Sequence, residues 1–254
     1  MKKIILLLNI FLFFSSCEKV ENDSNEVCTG DCTLIKGKVY TQSDIPLKNI
    51  AMKFKFQTND PQNSNITLTR IISKVRTNNI GEYAMNFYLK DEELGEWTGS
   101  FTLNADKNTV PGTVFYADYF NLYETIYNIL TRNVIIQRDL YIPTLKKVKI
   151  KLNNFNGSEQ EDYFRVLTEV PCGYDTNSVN PETGNNHEYA TIGLNKYQLN
   201  NYNNFTSKTF EVEFALNEMN FIVLGRMKNN VYTEERIPIT VTSNTNQTFE
   251  YNYE

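Results

Sequence analysis

From Thr33 to the end of the chain the dominant signal is a hydrophobic period of two. Met52, Phe54 and Phe56 alternate with Lys53, Lys55 and Gln57, and Tyr83, Met85, Phe87 and Leu89 fall on one face. Trp97, Phe101 and Leu103 share a face in the next segment. Val148, Ile150 and Leu152 alternate with Lys147, Lys149 and Lys151. Phe210, Val212, Phe214 and Leu216 alternate with Glu211 and Glu213, Ile237, Ile239 and Val241 with Pro238 and Thr240, and Phe249, Tyr251 and Tyr253 close the chain. Such alternation belongs to half-buried strands with one face on a core and one in water. Between the runs lie Asn, Gly, Pro and Asp clusters; the chain holds 34 Asn, a residue whose side chain bonds the nearby backbone and tolerates positive φ. Many short strands without a long amphipathic helix predict an all-β chain built of β-sandwiches. In 118–130, Phe120, Tyr123, Tyr127 and Leu130 sit at helical spacing, so this stretch reads as one short helix or a hairpin arm.

The pattern restarts near Pro143. The expected organisation is a signal segment at 1–16, an acidic tether at 17–32, one sandwich at 33–142 and a second, transthyretin- or immunoglobulin-like, at 143–254, with a long polar loop at 171–190. With 254 residues and 41% hydrophobic content, the chain can bury a proper core.

The N-terminus speaks to compartment. Met1-Lys2-Lys3 precedes an apolar run from Ile4 to Phe14, too short for the ~20 residues that cross a bilayer, and therefore like the core of a secretory signal. Ser15-Ser16-Cys17 after it resembles the lipobox of bacterial lipoproteins, and the resemblance implies cleavage before Cys17 and diacylation of that residue. Acyl chains at one residue anchor stably, since each buried CH₂ contributes about 0.8 kcal/mol. Cleavage removes Lys2 and Lys3, making the chain two charges more negative than its −5. Glu18-Lys19-Val20-Glu21 resembles the acidic export signal of Bacteroidetes surface lipoproteins. The implied location is the bacterial outer membrane, lipid-anchored and surface-exposed.

A second resemblance lies in the first strand set. Gly37-Lys38-Val39, Ile45-Pro46-Leu47-Lys48-Asn49-Ile50 and Met52-Lys53-Phe54 are similar to the opening of carboxypeptidase-regulatory-like domains. Thr77-Asn78-Asn79-Ile80-Gly81-Glu82-Tyr83 is similar to their later turn, T-(D/N)-x-x-G-x-Y. Gly81 allows the positive φ of a tight turn, and Tyr83 re-enters the core. The resemblance covers 33–105 and implies a transthyretin-like sandwich that brings no catalytic residues.

Several function classes are disfavoured by composition. A net charge of −5 opposes nucleic-acid binding, which needs a Lys/Arg excess. The single histidine, His187, rules out multi-histidine sites, and it sits in a polar stretch, Asn185 to Tyr189, with no apolar wall. No phosphate-cradling glycine loop or dinucleotide fingerprint occurs. Asp91, Glu92, Glu93 and Glu96, and Glu159, Glu161 and Asp162, are carboxylate clusters that read as solvated turns, because a glycosidase-type acid needs a buried pocket and calcium needs regularly spaced oxygen ligands. No metal or cofactor is expected. Cys28 and Cys32, with Gly30 between them, form a candidate disulfide, leaving Cys172 as a buried, inert thiol. A Cys28, Cys32, Cys172 and His187 zinc set has the right ligand count but no zinc-site spacing.

The expected function is non-enzymatic: a lipid-anchored envelope protein with structural or binding roles, presenting β-sandwich loops to a protein or glycan partner. The alternative is a carbohydrate-binding accessory of a polysaccharide-uptake system, with Tyr116, Tyr119, Tyr123 and Tyr127 as a stacking surface.

Overall fold

The computed structural model describes residues 18–96, 98–111, 122–126, 128–155, 162–174, 191–200, 205–228, 231–244 and 248–252. Its regular elements are eighteen strands and three single 3₁₀ turns. The first ten strands are β1 (Glu18–Asn22), β2 (Thr33–Thr41), β3 (Ile45–Pro46), β4 (Ala51–Asp60), β5 (Asn63–Arg76), β6 (Glu82–Phe87), β7 (Ser100–Ala105), β8 (Tyr123–Ile126), β9 (Ile135–Gln137) and β10 (Leu140–Tyr141). The remainder are β11 (Leu145–Phe155), β12 (Tyr163–Pro171), β13 (Gly173–Tyr174), β14 (Thr191–Asn200), β15 (Phe205–Ala215), β16 (Met219–Lys228), β17 (Val231–Thr240) and β18 (Thr248–Asn252).

The architecture is all-β and sandwich-like, as the alternation predicts. In the first half, a sheet of order β1-β5-β4-β7-β8 faces a sheet built around β2, which pairs with β3, β6, β9 and β10. Met52, Phe54 and Phe56 of β4 point inward with Tyr83, Met85 and Phe87 of β6 and Phe101 and Leu103 of β7, and all are buried. The Phe54 ring lies 4.9 Å from that of Phe87 and 5.6 Å from that of Phe101. Each such side chain contributes roughly 1.5–3 kcal/mol on leaving water. In the second half, β15-β11-β18 faces β14-β12-β16-β17 around Val148, Ile150, Leu152, Phe164, Val166, Val212, Phe214 and Leu224. The core members of the first half end at Ile142 and those of the second begin at Val148.

The turn at Thr77–Tyr83 is built by its own side chains. The Thr77 hydroxyl donates to the Leu47 carbonyl at 2.7 Å and accepts from the Ile50 amide at 2.9 Å. The Asn78 amide oxygen accepts from the Ile80 and Glu82 amides at 3.0 and 2.9 Å. Gly81 has φ 75°, and a Cβ there would lie 2.5 Å from the Val39 carbonyl oxygen. Tyr83 then enters the core, its hydroxyl donating to the Arg138 carbonyl at 2.6 Å.

Two segments depart from the expected organisation. Residues 18–23, expected within a free tether, are laid along the first sheet: β1 runs parallel to β5 with Glu18 beside Thr67 and Asn22 beside Ile71. An unpaired sheet edge offers backbone donors and acceptors to any extended acidic segment, and β1 takes them although all its side chains are exposed. Cys172–Tyr174, expected within the second sandwich, instead return to the first, where β13 pairs antiparallel with β10. Burial of the Tyr174 ring against the first core supplies the reason. A further tie joins the halves: the Tyr141 hydroxyl donates to Glu218 Oε1 at 2.7 Å.

Candidate functional site

The sequence-derived candidates fall as follows. Cys28 and Cys32 form a disulfide, their Cα atoms 5.9 Å apart. Cys172 is buried, and burial pushes its thiol up to about 12. Cys17, Tyr116, Tyr119, Tyr127, Trp97, His187 and most of the 171–190 loop lie outside the described residues. Of the stretch 118–130, Tyr123–Ile126 is strand β8, and Tyr123 is 44% exposed.

The first carboxylate cluster is not uniformly a solvated turn. Glu93 is buried, and its Oε2 accepts from Arg70 Nη1 at 2.6 Å and from the Lys90 amide at 2.9 Å. Arg70 also donates from Nε to Asp23 Oδ2 at 2.6 Å and from Nη2 to the Tyr88 carbonyl at 3.2 Å. Asp91 is ion-paired to Arg132. The reason is the side-chain direction of the 3₁₀ turn Asp91–Glu93: two acids face outward while Glu93 closes over a buried guanidinium. Asp162, in the second cluster, is likewise buried. Among the described residues, no three His, Cys, Asp or Glu side chains are grouped to hold a metal ion.

Another concave surface, a cleft of about 750 Å³, is lined by Lys53, Lys74, Asn104 and Tyr123 of the five-stranded sheet. Inward placement of Met52, Phe54 and Phe56 sends Lys53 and Lys55 outward. Register then aligns one residue from each of four neighbouring strands: Lys74 of β5 opposite Lys53 of β4, Lys53 opposite Asn104 of β7, and Asn104 opposite Tyr123 of β8. Directly opposed residues share a face, so this row runs across the sheet for roughly 14 Å at about 4.8 Å per strand. Arg76 and Lys107 also line the cleft, with Arg76 Nη1 held by the Asn49 carbonyl at 2.8 Å. Its acid, Asp106, accepts from the Asn108 amide and side chain at 3.0 and 3.1 Å. Lys55, two residues along β4, has its ammonium pushed down by burial and by Lys53, while Glu18 pulls it the opposite way.

This row escaped the sequence reading, although its signal was present: Lys53/Lys55 and Lys74/Arg76 are i, i+2 pairs in neighbouring segments. Their alignment depends on the β4–β5 register, which a bulge at Phe54/Lys55 shifts.

The chain matches no protein-family model and no curated protein. Among solved structures it is similar over most of its length to all-β bacterial proteins. The TIE protein of Bacillus anthracis is 9% identical, with 87% of this chain and 33% of that chain covered and a TM-score of 0.30. A streptococcal ancillary pilin is 10% identical, with 89% and 64% covered and a TM-score of 0.31. The major pilin SpaD of Corynebacterium diphtheriae is 12% identical, with 80% and 63% covered and a TM-score of 0.28. The chain thus spans a third of the first and somewhat under two thirds of the other two. Superpositions this loose transfer no residue roles.

Proposed function

We propose that the protein is a non-enzymatic module of the bacterial cell envelope, anchored by acylation of Cys17, in which β-sandwich units present binding surfaces away from the lipid. The observation that carries this reading is the docking of Glu18–Asn22 along β5, immediately after the lipobox-like Ser15-Ser16-Cys17. A chain that emerged on a free tether would leave the module unoriented; one paired to the sheet from Glu18 holds the fold close to its anchor. The buried Asp23–Arg70–Glu93 contact fastens that strand from its C-terminal side. The carboxypeptidase-regulatory-like resemblance of 33–105 agrees with a binding or structural role, because those domains bring no catalytic residues.

Fractionation of cells expressing the wild-type chain and a Cys17→Ala variant tests the anchor. The wild type is expected in the membrane fraction and the variant in the soluble fraction; a variant that stays with the membrane overturns the reading.

A further inference from the structure

The two halves of the molecule treat a lysine-bearing strand in opposite ways. On β11, Lys147 lies opposite Glu213 and Lys149 opposite Glu211, and Lys151 Nζ reaches Glu250 Oε2 at 3.1 Å. That face is a charge-balanced cross-strand ladder. On β4, Lys53 lies opposite another lysine on one side and an asparagine on the other. None of Lys53, Lys55 and Lys74 joins an ion pair among the described residues. Like charges directly opposite one another destabilise a sheet, and this chain, with a net charge of −5, has acids to place there. A face kept positive at a cost to stability fits an anionic ligand that covers it.

The neutral members of the row narrow the ligand class. Asn104 offers an amide between Lys53 and Tyr123, and Tyr123 presents a half-exposed ring with a hydroxyl at its end. A ring with an apolar body and a polar tip suits a sugar face, and amides suit sugar hydroxyls. The two adjacent ammonium groups of Lys74 and Lys53 at one end of the row suit carboxylates. The surface is a cleft of about 750 Å³ and not a plane, which favours a linear polymer laid into it over the flat headgroup layer of a bilayer.

We propose that this cleft, with Lys53, Lys74, Asn104 and Tyr123 as its floor and Arg76 at its edge, binds a linear acidic polysaccharide bearing carboxylates. The inference rests on the reading of the chain as a non-enzymatic envelope module and names the chemistry that module recognises.

The test is affinity electrophoresis of the full chain in neutral detergent, in gels containing polygalacturonate or neutral dextran, with phosphatidylglycerol vesicle sedimentation in parallel. Polygalacturonate is expected to retard the wild type, dextran is not, and added salt should abolish the retardation because exposed charge contacts are screened. Replacing both lysines, Lys53→Gln with Lys74→Gln, should weaken binding about three- to tenfold, since each exposed charge contact is worth a fraction of a kcal/mol. Its thermal midpoint should equal or exceed that of the wild type; if the double variant does not fold, Tyr123→Ala, at an exposed side chain, takes its place and should also weaken retardation. Equal migration in polygalacturonate and dextran, undiminished retardation of a folded variant, or binding to the vesicles without binding to polygalacturonate overturns the proposal. The size of the recovered polymer separates the two readings. Shortened polygalacturonate overturns the non-enzymatic reading and leaves the site standing. Absence of retardation with Cys17-dependent membrane retention overturns the site and leaves the anchor standing.

Discussion

Arg70 Nη1 lies 2.6 Å from Glu93 Oε2, and the two side chains are 8% and 2% exposed. Breaking a buried pair from one side leaves an uncompensated charge, which costs about 3–5 kcal/mol, whereas replacing both partners by apolar groups is close to neutral. Arg70→Ala is therefore expected to lower unfolding stability by about that amount in urea titrations, and Arg70→Met with Glu93→Leu to recover only part of the loss, because Asp23 still lacks its guanidinium. An equal loss in single and double variants would show that the pair is not the source. Because Arg70 also holds Asp23, Asp23→Ala should speed hydrogen exchange at the β1 amides Glu18 to Asn22 while leaving β4 unchanged.

Gly37 is a position of close approach. A Cβ built there would lie 1.7 Å from the Arg138 carbonyl oxygen and 3.0 Å from the Tyr83 hydroxyl, whose hydrogen bond goes to that same carbonyl. Backbone cannot yield as a flexible side chain can. Gly37→Ala is expected to destabilise by at least the ~1–3 kcal/mol typical of overpacking, read as a lower urea midpoint.

How far the fold was legible follows from which forces are local. Period-two alternation is a local property, so β4, β6, β11 and β15 could be read directly, and the Asn78–Gly81 turn is closed by its own side chains. Strand neighbours and register are set by long-range contacts. The docking of Glu18–Asn22 against Thr67–Ile71 joins segments 49 positions apart, and nothing in an acidic, exposed strand marks its partner. The burial of Glu93 was hidden for a similar reason: in sequence it is one of three consecutive acids, and only its distance from Arg70 distinguishes it. Tyr123 was singled out for its residue type, but its neighbours Asn104, Lys53 and Lys74 come from three other strands.

Cys172 provides a chemical readout of both burial and anchoring. Its thiol is buried and titrates near 12, against an ordinary value of 9.0. A folded-state value raised above the unfolded one means that its contribution to stability is complete below pH 9 and declines as pH rises from there towards 12. In the folded protein it should resist a disulfide reagent at pH 8, since the thiolate is the reactive form. In urea, without reductant, the envelope-extracted chain should release a single thiol, because Cys28 and Cys32 are joined and acylation of Cys17 occupies its sulfur. Release of two thiols would mean that Cys17 is not acylated.

The opposition of Lys53 and Lys74 predicts a stability gain from a change that weakens charge recognition. The two residues are directly opposed on antiparallel strands, and the row continues to Asn104 and Tyr123 without an acid. Lys74→Glu converts a like-charge cross-strand pair into an opposite-charge one and is expected to stabilise the fold by roughly 0.2–1 kcal/mol at low ionic strength. The gain should shrink at about 1 M salt, where the screening length falls to ~3 Å. Lys149→Glu is the mirror experiment: Lys149 faces Glu211, so the same substitution there creates a like-charge pair and should destabilise by a similar amount. Opposite signs for the two variants in matched urea titrations, with polygalacturonate retardation weakened only by Lys74→Glu, would show that the first sheet keeps its positive face against its own stability and that the second does not. Equal signs would mean that cross-strand charge does not govern either face, and the asymmetry between the two sheets would lose its functional meaning.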